Sequence, residues 1–183
     1  MKNPKKLIII TGPSGVGKGT VVKNILRKDK NIWLSISATT RKPRDGEEHG
    51  KDYYFLTTKK FKEMINNNMF LEWAEFAGNY YGTPINIIKD KIKQGYKVIL
   101  EIEVEGACQV REIFSNAISI FLLPPDKKEL EKRIRNRGTD NEKSILRRLE
   151  RADFEISSSK DFDYVLKNYE VEKTADEILK IIS

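Results

Sequence analysis

The sequence contains little of what disulfide or metal frameworks need. Its 183 residues include one cysteine, Cys108, and one histidine, His49. A single cysteine excludes a disulfide framework within the chain and a zinc site built on cysteines. A single histidine excludes histidine-rich metal chemistry. We therefore expect Cys108 to serve packing, and His49, which lies in a charged segment, to have no catalytic role.

Long apolar runs are also missing. No run approaches the roughly 18–20 residues that a membrane span needs, and the run at 7–10 is too short for the core of a signal peptide. Hydrophobic residues make up 39% of the chain and charged residues 33%, a balance typical of globular proteins. We therefore expect no membrane partner and a reducing, cytoplasmic location.

The charge balance is positive. Lysine and arginine total 34 against 27 aspartate and glutamate residues, a formal net charge of +7. Such an excess favours polyanionic partners, namely nucleic acid, an anionic membrane or phosphate-bearing small molecules. Because the chain is rich in lysine, isoleucine and asparagine, a compositional bias of the source genome explains the same charge. Charge alone leaves these alternatives open.

Short apolar runs alternate with amphipathic segments along the chain. This alternation predicts an α/β fold, a parallel sheet with helices on both faces and ligands at the carboxyl ends of the strands. The aromatic and charged sequence between 37 and 83 predicts a small insertion, with Thr58 as the N-cap of its helix. The predicted strands cover 7–11, 32–37, 52–56, 70–77, 97–102, 118–123 and 164–166, and the predicted helices cover 18–28, 59–67, 84–94, 107–114, 126–137, 141–157 and 170–182.

A glycine-rich segment separates the first predicted strand from the first predicted helix. Glycines let the backbone turn so that successive N–H groups converge on phosphate oxygens, and the positive end of the helix adds to this attraction. A lysine that follows them reaches the terminal phosphates of a nucleotide. The segment, a predicted phosphate-binding loop, consists of Gly12, Pro13, Ser14, Gly15, Val16, Gly17 and Lys18.

The residue after this lysine departs from the strict motif. That position usually holds a serine or threonine that binds Mg²⁺, whereas here Gly19 occupies it and Thr20 follows. Thr20 is therefore the predicted magnesium ligand, either directly or through a water molecule.

A phosphate loop indicates a nucleotide but not a reaction, and further fragments narrow the choice. Arg41 and Arg44 lie three residues apart and are suited to grip one phosphate. Glu72 places a carboxylate in a strongly apolar predicted strand. The sequence resembles the guanylate kinases, which are P-loop nucleoside monophosphate kinases. The resemblance rests on the phosphate loop, Ser-Ala-Thr-Thr-Arg-Lys-Pro-Arg at 37–44, Gly-Lys-Asp-Tyr at 50–53, Leu-Glu-Trp at 71–73, Gly-Asn-Tyr-Tyr-Gly-Thr at 78–83, Arg-Gly-Thr-Asp at 137–140 and Arg-Arg-Leu at 147–149.

The resemblance implies a P-loop core with a parallel five-stranded sheet flanked by helices, built from 1–36, 84–125 and 158–183. It also implies an inserted GMP-binding lobe with a small mixed sheet at 37–83 and a helical lid at 126–157. The implied activity is ATP:GMP phosphotransfer, MgATP and GMP giving MgADP and GDP, with Mg²⁺ as the cofactor. The expected partners are ATP, GMP and dGMP but not nucleic acid, and we expect a monomer or a weak homodimer.

The resemblance assigns the site residues as well. Lys18, Arg41, Arg137 and Arg148 carry the positive charge that stabilises the transferred group. ATP lies on residues 12–20 together with Arg137 and Asn168. Glu103 stands where the family usually has aspartate, which lengthens the side chain by about one bond. The GMP-binding residues are Ser37, Glu72 and Thr83 for the guanine, Arg41, Arg44, Tyr53 and Tyr81 for the phosphate, and Glu103 near the acceptor nucleotide.

Base chemistry supports the role of Glu72 independently. Guanine presents hydrogen-bond donors at N1 and at its 2-amino group, and one carboxylate accepts from both, whereas adenine offers neither donor. Ser37 and Thr83 supply hydroxyl donors for the O6 region of guanine. Three other interpretations stay open: a non-catalytic guanylate-kinase-like module that binds proteins, a basic nucleic-acid-binding ATPase, and a phosphotransferase for another monophosphate.

Overall fold

The computed structural model describes residues 6–76, 78–136 and 142–183. Helices are interspersed among the strands along these residues, in agreement with the sequence prediction. The strands are β1 Leu7–Thr11, β2 Ile32–Leu34, β3 Ala38–Thr39, β4 Tyr54–Phe55, β5 Phe70–Phe76, β6 Asn79–Pro84, β7 Lys97–Glu101, β8 Ile118–Leu123 and β9 Tyr164–Lys167. The helices are α1 Lys18–Lys28, α2 Thr58–Asn66, α3 Ile85–Lys93, α4 Val104–Ile113, α5 Lys127–Arg135, α6 Glu142–Ser157 and α7 Val171–Ile182, with a 3₁₀ turn at Ser159–Asp161.

The core is a five-stranded sheet in the order β2-β7-β1-β8-β9, and every pairing in it is parallel. All five residues of the central strand β1 are buried, which explains the unbroken apolar run of its first four residues. Helices α1 and α7 cover one face through residues such as Ile25 and Ile178, and α3 and α4 cover the other through Ile88 and Val110. The predicted parallel sheet with flanking helices is therefore confirmed.

A second, four-stranded sheet lies between β2 and α3 in the chain. Its order is β4-β3-β6-β5, with a parallel β3–β4 pair and antiparallel β3–β6 and β5–β6 pairs, so the predicted small mixed sheet is also confirmed. Helix α2 packs on it by stacking Phe61 on Phe70 and Tyr80, with ring centroids 4.3 and 5.5 Å apart. This cluster is separate from the two that cover the core sheet.

Several element boundaries differ from the predictions. The N-cap of α2 is Thr57, not Thr58, because the Thr57 hydroxyl accepts a hydrogen bond from the backbone N–H of Lys60. The predicted strand at 32–37 ends at Leu34. Helix α4 starts at Val104 rather than at 107. The sequence analysis placed the start too late, because Gly106 lowers the helical propensity of the first turn. Strand β7 ends at Glu101, and α5 ends at Arg135.

Helices α5 and α6 pack against each other through their own apolar cluster, which contains Leu130, Ile134, Ile145 and Ala152. The remainder of both helices is strongly charged. Across the described part of the chain, we find no helix that combines the length and the apolar character required to cross a membrane.

Candidate active site

The phosphate loop joins the carboxyl end of β1 to the first turn of α1. Gly12, Gly15 and Gly17 have φ angles of 146°, 89° and 100°. Residues other than glycine rarely adopt these positive φ values. A β-carbon on Gly12 would clash with the carbonyl oxygen of Leu122, so the loop also lies closely against β8. The glycines therefore serve both the turn and its packing.

Lys18, the first residue of α1, is buried beside this loop. Its Nζ donates a hydrogen bond to the carbonyl of Gly12 and lies 3.7 Å from Oε1 of Glu103. Glu103 directly precedes α4, and its side chain is 56% exposed. Lys18 thus links the phosphate loop to Glu103, in the short connection between β7 and α4.

An open cavity of about 650 Å³ lies along the phosphate loop. Among the described residues, those that line it come from the core and from α5, and the predicted phosphate-gripping residues Arg41, Arg44, Tyr53 and Tyr81 are not among them. The volume and the loop suit a nucleoside triphosphate. The lining residues are Pro13, Ser14, Gly15, Gly17, Lys18, Gly19, Thr20, Lys23, Glu101, Glu103, Arg133, Asn168 and Val171.

Arg133 is a site residue that the sequence analysis missed. From α5 its guanidinium donates to the carbonyl of Val16 at 3.1 Å and to that of Asn168 at 3.4 Å, and it pairs with Glu129 at 2.9 Å. It ties α5 to the phosphate loop through Val16. In the sequence, Arg133 is one of many charged residues in a segment that also fits a solvated helical face. Only its hydrogen bond to Val16, 117 positions away, distinguishes it from the other charged residues there.

Asn168 is nearly fully buried, just after β9. Its Nδ2 donates to the carbonyl of Val16 at 2.8 Å, and its Oδ1 accepts from the hydroxyl of Thr174 at 3.0 Å. The side chain therefore supports the phosphate loop while it lines the same cavity. Its predicted place beside the donor nucleotide stays a prediction.

Oxygen ligands suited to Mg²⁺ lie at one edge of this cavity. Glu101 ends β7, and a β-carbon on Gly19 would lie 3.3 Å from its Oε1. Burial raises the pKa of Glu101, while the nearby charge of Lys18 lowers it. Thr20 is exposed at the same edge. No group of three or more histidine, cysteine, aspartate and glutamate side chains in residues 6–76, 78–136 and 142–183 is arranged to hold a metal. The donors fit an ion that phosphate oxygens and water largely coordinate.

The two predicted lid arginines differ in what the structure describes. Arg148, on α6, donates from Nη2 to the hydroxyl of Ser14 at 2.6 Å, which places it on the phosphate loop. Arg137 lies outside the described residues, as do Thr139 and Asp140 of the same motif.

Glu72 and Thr83 form the centre of a second, buried polar site. They face each other in the β5–β6 pair, and the Thr83 hydroxyl donates to Oε1 of Glu72 at 2.6 Å. Burial raises the pKa of Glu72, and the hydrogen bonds from Thr83 oppose that shift. Ser37 comes just before β3, where its carbonyl accepts a bond from the N–H of Tyr54. Two of the three predicted guanine-reading residues are thus in direct contact. The Thr83 hydroxyl has one proton and donates it to Glu72 in this structure, not towards the O6 region of guanine as predicted.

Three of the predicted phosphate-gripping residues also lie together. The guanidinium of Arg41 is 5.3 Å from the ring centroid of Tyr53, whose ring is 6.4 Å from that of Tyr81. A carboxylate that the sequence analysis missed, Glu47, accepts two hydrogen bonds from Arg41, each 2.9 Å long, and one from the backbone N–H of Arg44. These bonds lower the pKa of Glu47 to about 2.

Comparison with known proteins agrees with this geometry. The guanylate kinase family model matches residues 4–183. A guanylate kinase of Prochlorococcus marinus (strain MIT 9312) is 66% identical over 182 residues, which are 100% of this chain and 99% of that protein. A guanylate kinase of Synechocystis sp. is 48% identical over 177 residues, 97% of this chain and 93% of that protein. The crystal structure of guanylate kinase from Anaplasma phagocytophilum has a TM-score of 0.77 at 35% identity and covers 100% of this chain and 87% of its own.

These matches cover the core, the small sheet, α5 and α6, and they include every segment on which the sequence resemblance rests. The identities over nearly complete chains exceed what a shared fold alone produces. The chain belongs to the guanylate kinase family.

Proposed function

We propose that this chain transfers the terminal phosphoryl group of MgATP to GMP and so forms MgADP and GDP. The observation that carries the proposal is the buried Glu72–Thr83 pair in a protein that also has a complete phosphate loop. The loop binds the donor phosphates, and the pair supplies the recognition of the acceptor base. No observation on the described residues favours the protein-binding module or the nucleic-acid-binding ATPase.

Guanine recognition follows from the chemistry of Glu72. An ionised carboxylate accepts hydrogen bonds from N1–H and from the 2-amino group of guanine, and Thr83 holds one of its oxygens in place. Adenine would set its N1 lone pair against that carboxylate and leave the buried charge without the two donors that guanine supplies. Sites of this kind reject the wrong ligand by roughly 10⁴–10⁵-fold. Ser37 contributes a further hydroxyl near the O6 region.

Arg41 is the principal candidate for holding the GMP phosphate. Its two bonds to Glu47 and its place over Tyr53 hold the guanidinium in a fixed orientation. An incoming phosphate dianion carries more charge than one carboxylate, so it can take over the guanidinium from Glu47. Arg44, Tyr53 and Tyr81 supply the further donors. The nucleotide oxygen needs no general base, because the second pKa of a phosphomonoester is about 6.

Charge stabilisation during transfer falls to cations around the phosphate loop. Lys18 and Arg148 already contact that loop, and we assign Arg137 to the same task. Thr20 and Glu101 would hold Mg²⁺. Glu103, expected near the acceptor nucleotide, instead lines the cavity along the phosphate loop and would assist them. The ion, when bound, neutralises charge on the donor phosphates. Lys18, Arg148 and Arg41 then spread positive charge over the transferred group.

The separate apolar clusters of the small sheet and of α5–α6 support a division into a core, a GMP-binding lobe at 37–83 and a lid at 126–157. We assign the lobe to GMP and the lid to ATP, and we propose that each closes over its nucleotide. Closure would exclude water from the activated phosphoryl group. We further propose a cytoplasmic monomer or weak homodimer that also accepts dGMP.

Phosphorus NMR on a mixture of the enzyme, MgATP and GMP tests this function directly. We expect ADP and GDP to appear in equal amounts, with no release of inorganic phosphate. Release of phosphate in place of GDP would reveal an ATPase, and an unchanged ATP signal in the folded protein would contradict the proposed reaction.

A further inference from the structure

Gly106 lies in the first turn of α4 and is buried. A β-carbon on this glycine would lie 2.6 Å from Oε2 of Glu72 and 3.1 Å from its Cδ, and its third-nearest neighbour is Cγ of the same side chain, at 3.3 Å. Real β-carbons essentially never approach another atom to 2.6 Å. The Glu72 carboxylate therefore occupies the space that a side chain at position 106 would need.

The backbone gives no other reason for glycine at this position. Gly106 has a helical conformation without a positive φ, unlike Gly12 or Gly17 in the phosphate loop. Glycine within a helix is less favourable than alanine, because it loses more conformational freedom on folding. The three nearest neighbours of the missing side chain all belong to Glu72, so the space for this carboxylate is what requires the glycine.

A second residue of α4 holds the strand that carries Glu72. Gln109, one helical turn after Gly106, donates from Nε2 to the carbonyl of Trp73 at 3.1 Å, and its Oε1 accepts from the Trp73 N–H at 3.1 Å. β5 is an edge strand of the small sheet, so within the described parts of the chain the Trp73 backbone has no neighbouring strand on that side. The glutamine amide takes the place of that strand, next to Glu72.

We propose that α4 positions the guanine-reading carboxylate, with Gly106 as a specificity-determining residue and Gln109 as its support. Both act through Glu72: Gly106 leaves the space for its carboxylate, and Gln109 fixes the backbone that carries it. Because α4 belongs to the core and β5 to the small sheet, this contact joins the base site to the core. The inference rests on the proposed function of Glu72 as the reader of guanine.

The test measures kcat/KM for GMP and for IMP, which lacks the 2-amino group, in Gly106→Ala. The added methyl group displaces the carboxylate. We therefore expect KM for GMP to rise about ten- to a hundredfold, the effect of losing charge-assisted hydrogen bonds. KM for MgATP stays unchanged. The preference for GMP over IMP falls, because the displaced group no longer distinguishes them. Cys108, which was expected to serve packing, is exposed on the same helix, so that expectation is wrong. Cys108→Ala is therefore the matched control and keeps the wild-type preference.

Glu72→Gln, assayed in parallel, separates the two levels of the argument. If Glu72→Gln lowers the GMP preference while folded Gly106→Ala keeps it, the role of Gly106 is overturned and guanine reading stands. If Glu72→Gln itself keeps the preference, guanine reading fails, and the inference fails with it.

Gln109→Met adds no bulk next to Glu72 and removes only the two bonds to Trp73. It keeps the question answerable if Gly106→Ala does not fold. A several-fold fall in the GMP preference at unchanged KM for MgATP supports the positioning role of α4. A wild-type preference in this variant overturns it.

Discussion

Arg148 donates a 2.6 Å hydrogen bond from Nη2 to the hydroxyl of Ser14, so helix α6 reaches directly onto the phosphate loop. Ser14 lies near the middle of the loop, where the backbone turns between two glycines of positive φ, Gly12 and Gly15. The phosphates of a nucleotide bound at this loop would compete with the Ser14 hydroxyl for the guanidinium donors of Arg148. The bond therefore holds the arginine near the position where the donor phosphates are expected.

This relationship gives two variants with different expected results. Arg148→Met removes the cation and lowers kcat by about a hundredfold or more, because a preorganised charge is lost at the transferred group. Ser14→Ala removes only the contact and changes kcat by less than about tenfold. Steady-state rates at saturating MgATP and GMP decide the matter. Equal losses in both variants would mean that Arg148 acts only by supporting the loop.

Lys18→Met removes the charge at the start of α1 while keeping an apolar chain of similar length. We expect a folded protein whose kcat falls by roughly 10²–10³-fold. Lys89→Met, at an exposed position of α3, is the matched control and retains full activity. A coupled ADP-release assay, with circular dichroism to verify folding, measures both. Near-normal turnover of Lys18→Met would refute the role of the phosphate loop.

Gly17→Ala and Gly95→Ala separate backbone strain from loop geometry. Both glycines have φ near 100°, so an alanine costs about 1–2 kcal/mol of stability at either position. Only at Gly17 would the β-carbon also meet Nδ2 of Asn168, at 2.8 Å, whereas the space around Gly95 is open. We expect a lower denaturation midpoint in both variants, with the larger loss in Gly17→Ala, and a raised KM for MgATP in Gly17→Ala alone. An unchanged KM would show that the Asn168 contact does not shape the loop.

Glu72→Gln should increase stability at neutral pH even though it damages recognition. Burial raises the pKa of Glu72, so the folded protein holds this proton more tightly than the unfolded chain does. The stability linked to that proton is complete below the ordinary glutamate pKa and is lost as pH rises through the raised folded value. Thermal unfolding should therefore show a gain for the glutamine variant at about pH 8 that shrinks at about pH 4. A destabilised variant at about pH 8 would contradict this sign.

The same titration should appear in specificity. As pH falls through the raised pKa of Glu72, the wild-type preference for GMP over IMP decreases, and the phosphate titration cancels because both nucleotides carry the same group. Glu47→Gln should keep this pH dependence, because the pKa of Glu47 is held at about 2 by Arg41. If the Glu47→Gln variant lost the pH dependence, the titrating carboxylate would be Glu47 and not Glu72.

The sequence predicts what depends on neighbours along the chain. The phosphate loop is predicted from the spacing of Gly12, Gly17 and Lys18 between a strand and a helix. The buried strand β1 is predicted from the unbroken apolar run of its first four residues. Such local signals predicted the parallel sheet and its helices. They located the N-cap of α2 one residue late, because Thr57 and Thr58 are equally suited to the role in the sequence and only the bond to Lys60 distinguishes them.

Residues whose roles depend on distant partners could not be found in this way. Arg133 acts on Val16, 117 positions away, and Gln109 acts on Trp73, 36 positions away. Gly106 even weakens the helical signal of its own segment, and its purpose appears only once Glu72 lies against it. The Arg41–Glu47 pair was missed for another reason, since any of several acidic residues in that charged loop fits the arginine equally well by sequence.

The measurement that tests the central claim most directly is the initial rate of ADP formation from MgATP with GMP, AMP, CMP or UMP as the only acceptor. We expect turnover with GMP and none of comparable efficiency with the other three. Efficient turnover with AMP, CMP or UMP would preserve a kinase built on the phosphate loop but contradict guanine reading by Glu72, Thr83 and Ser37. Absence of turnover with all four, in a folded protein that binds GMP, would contradict phosphotransfer itself.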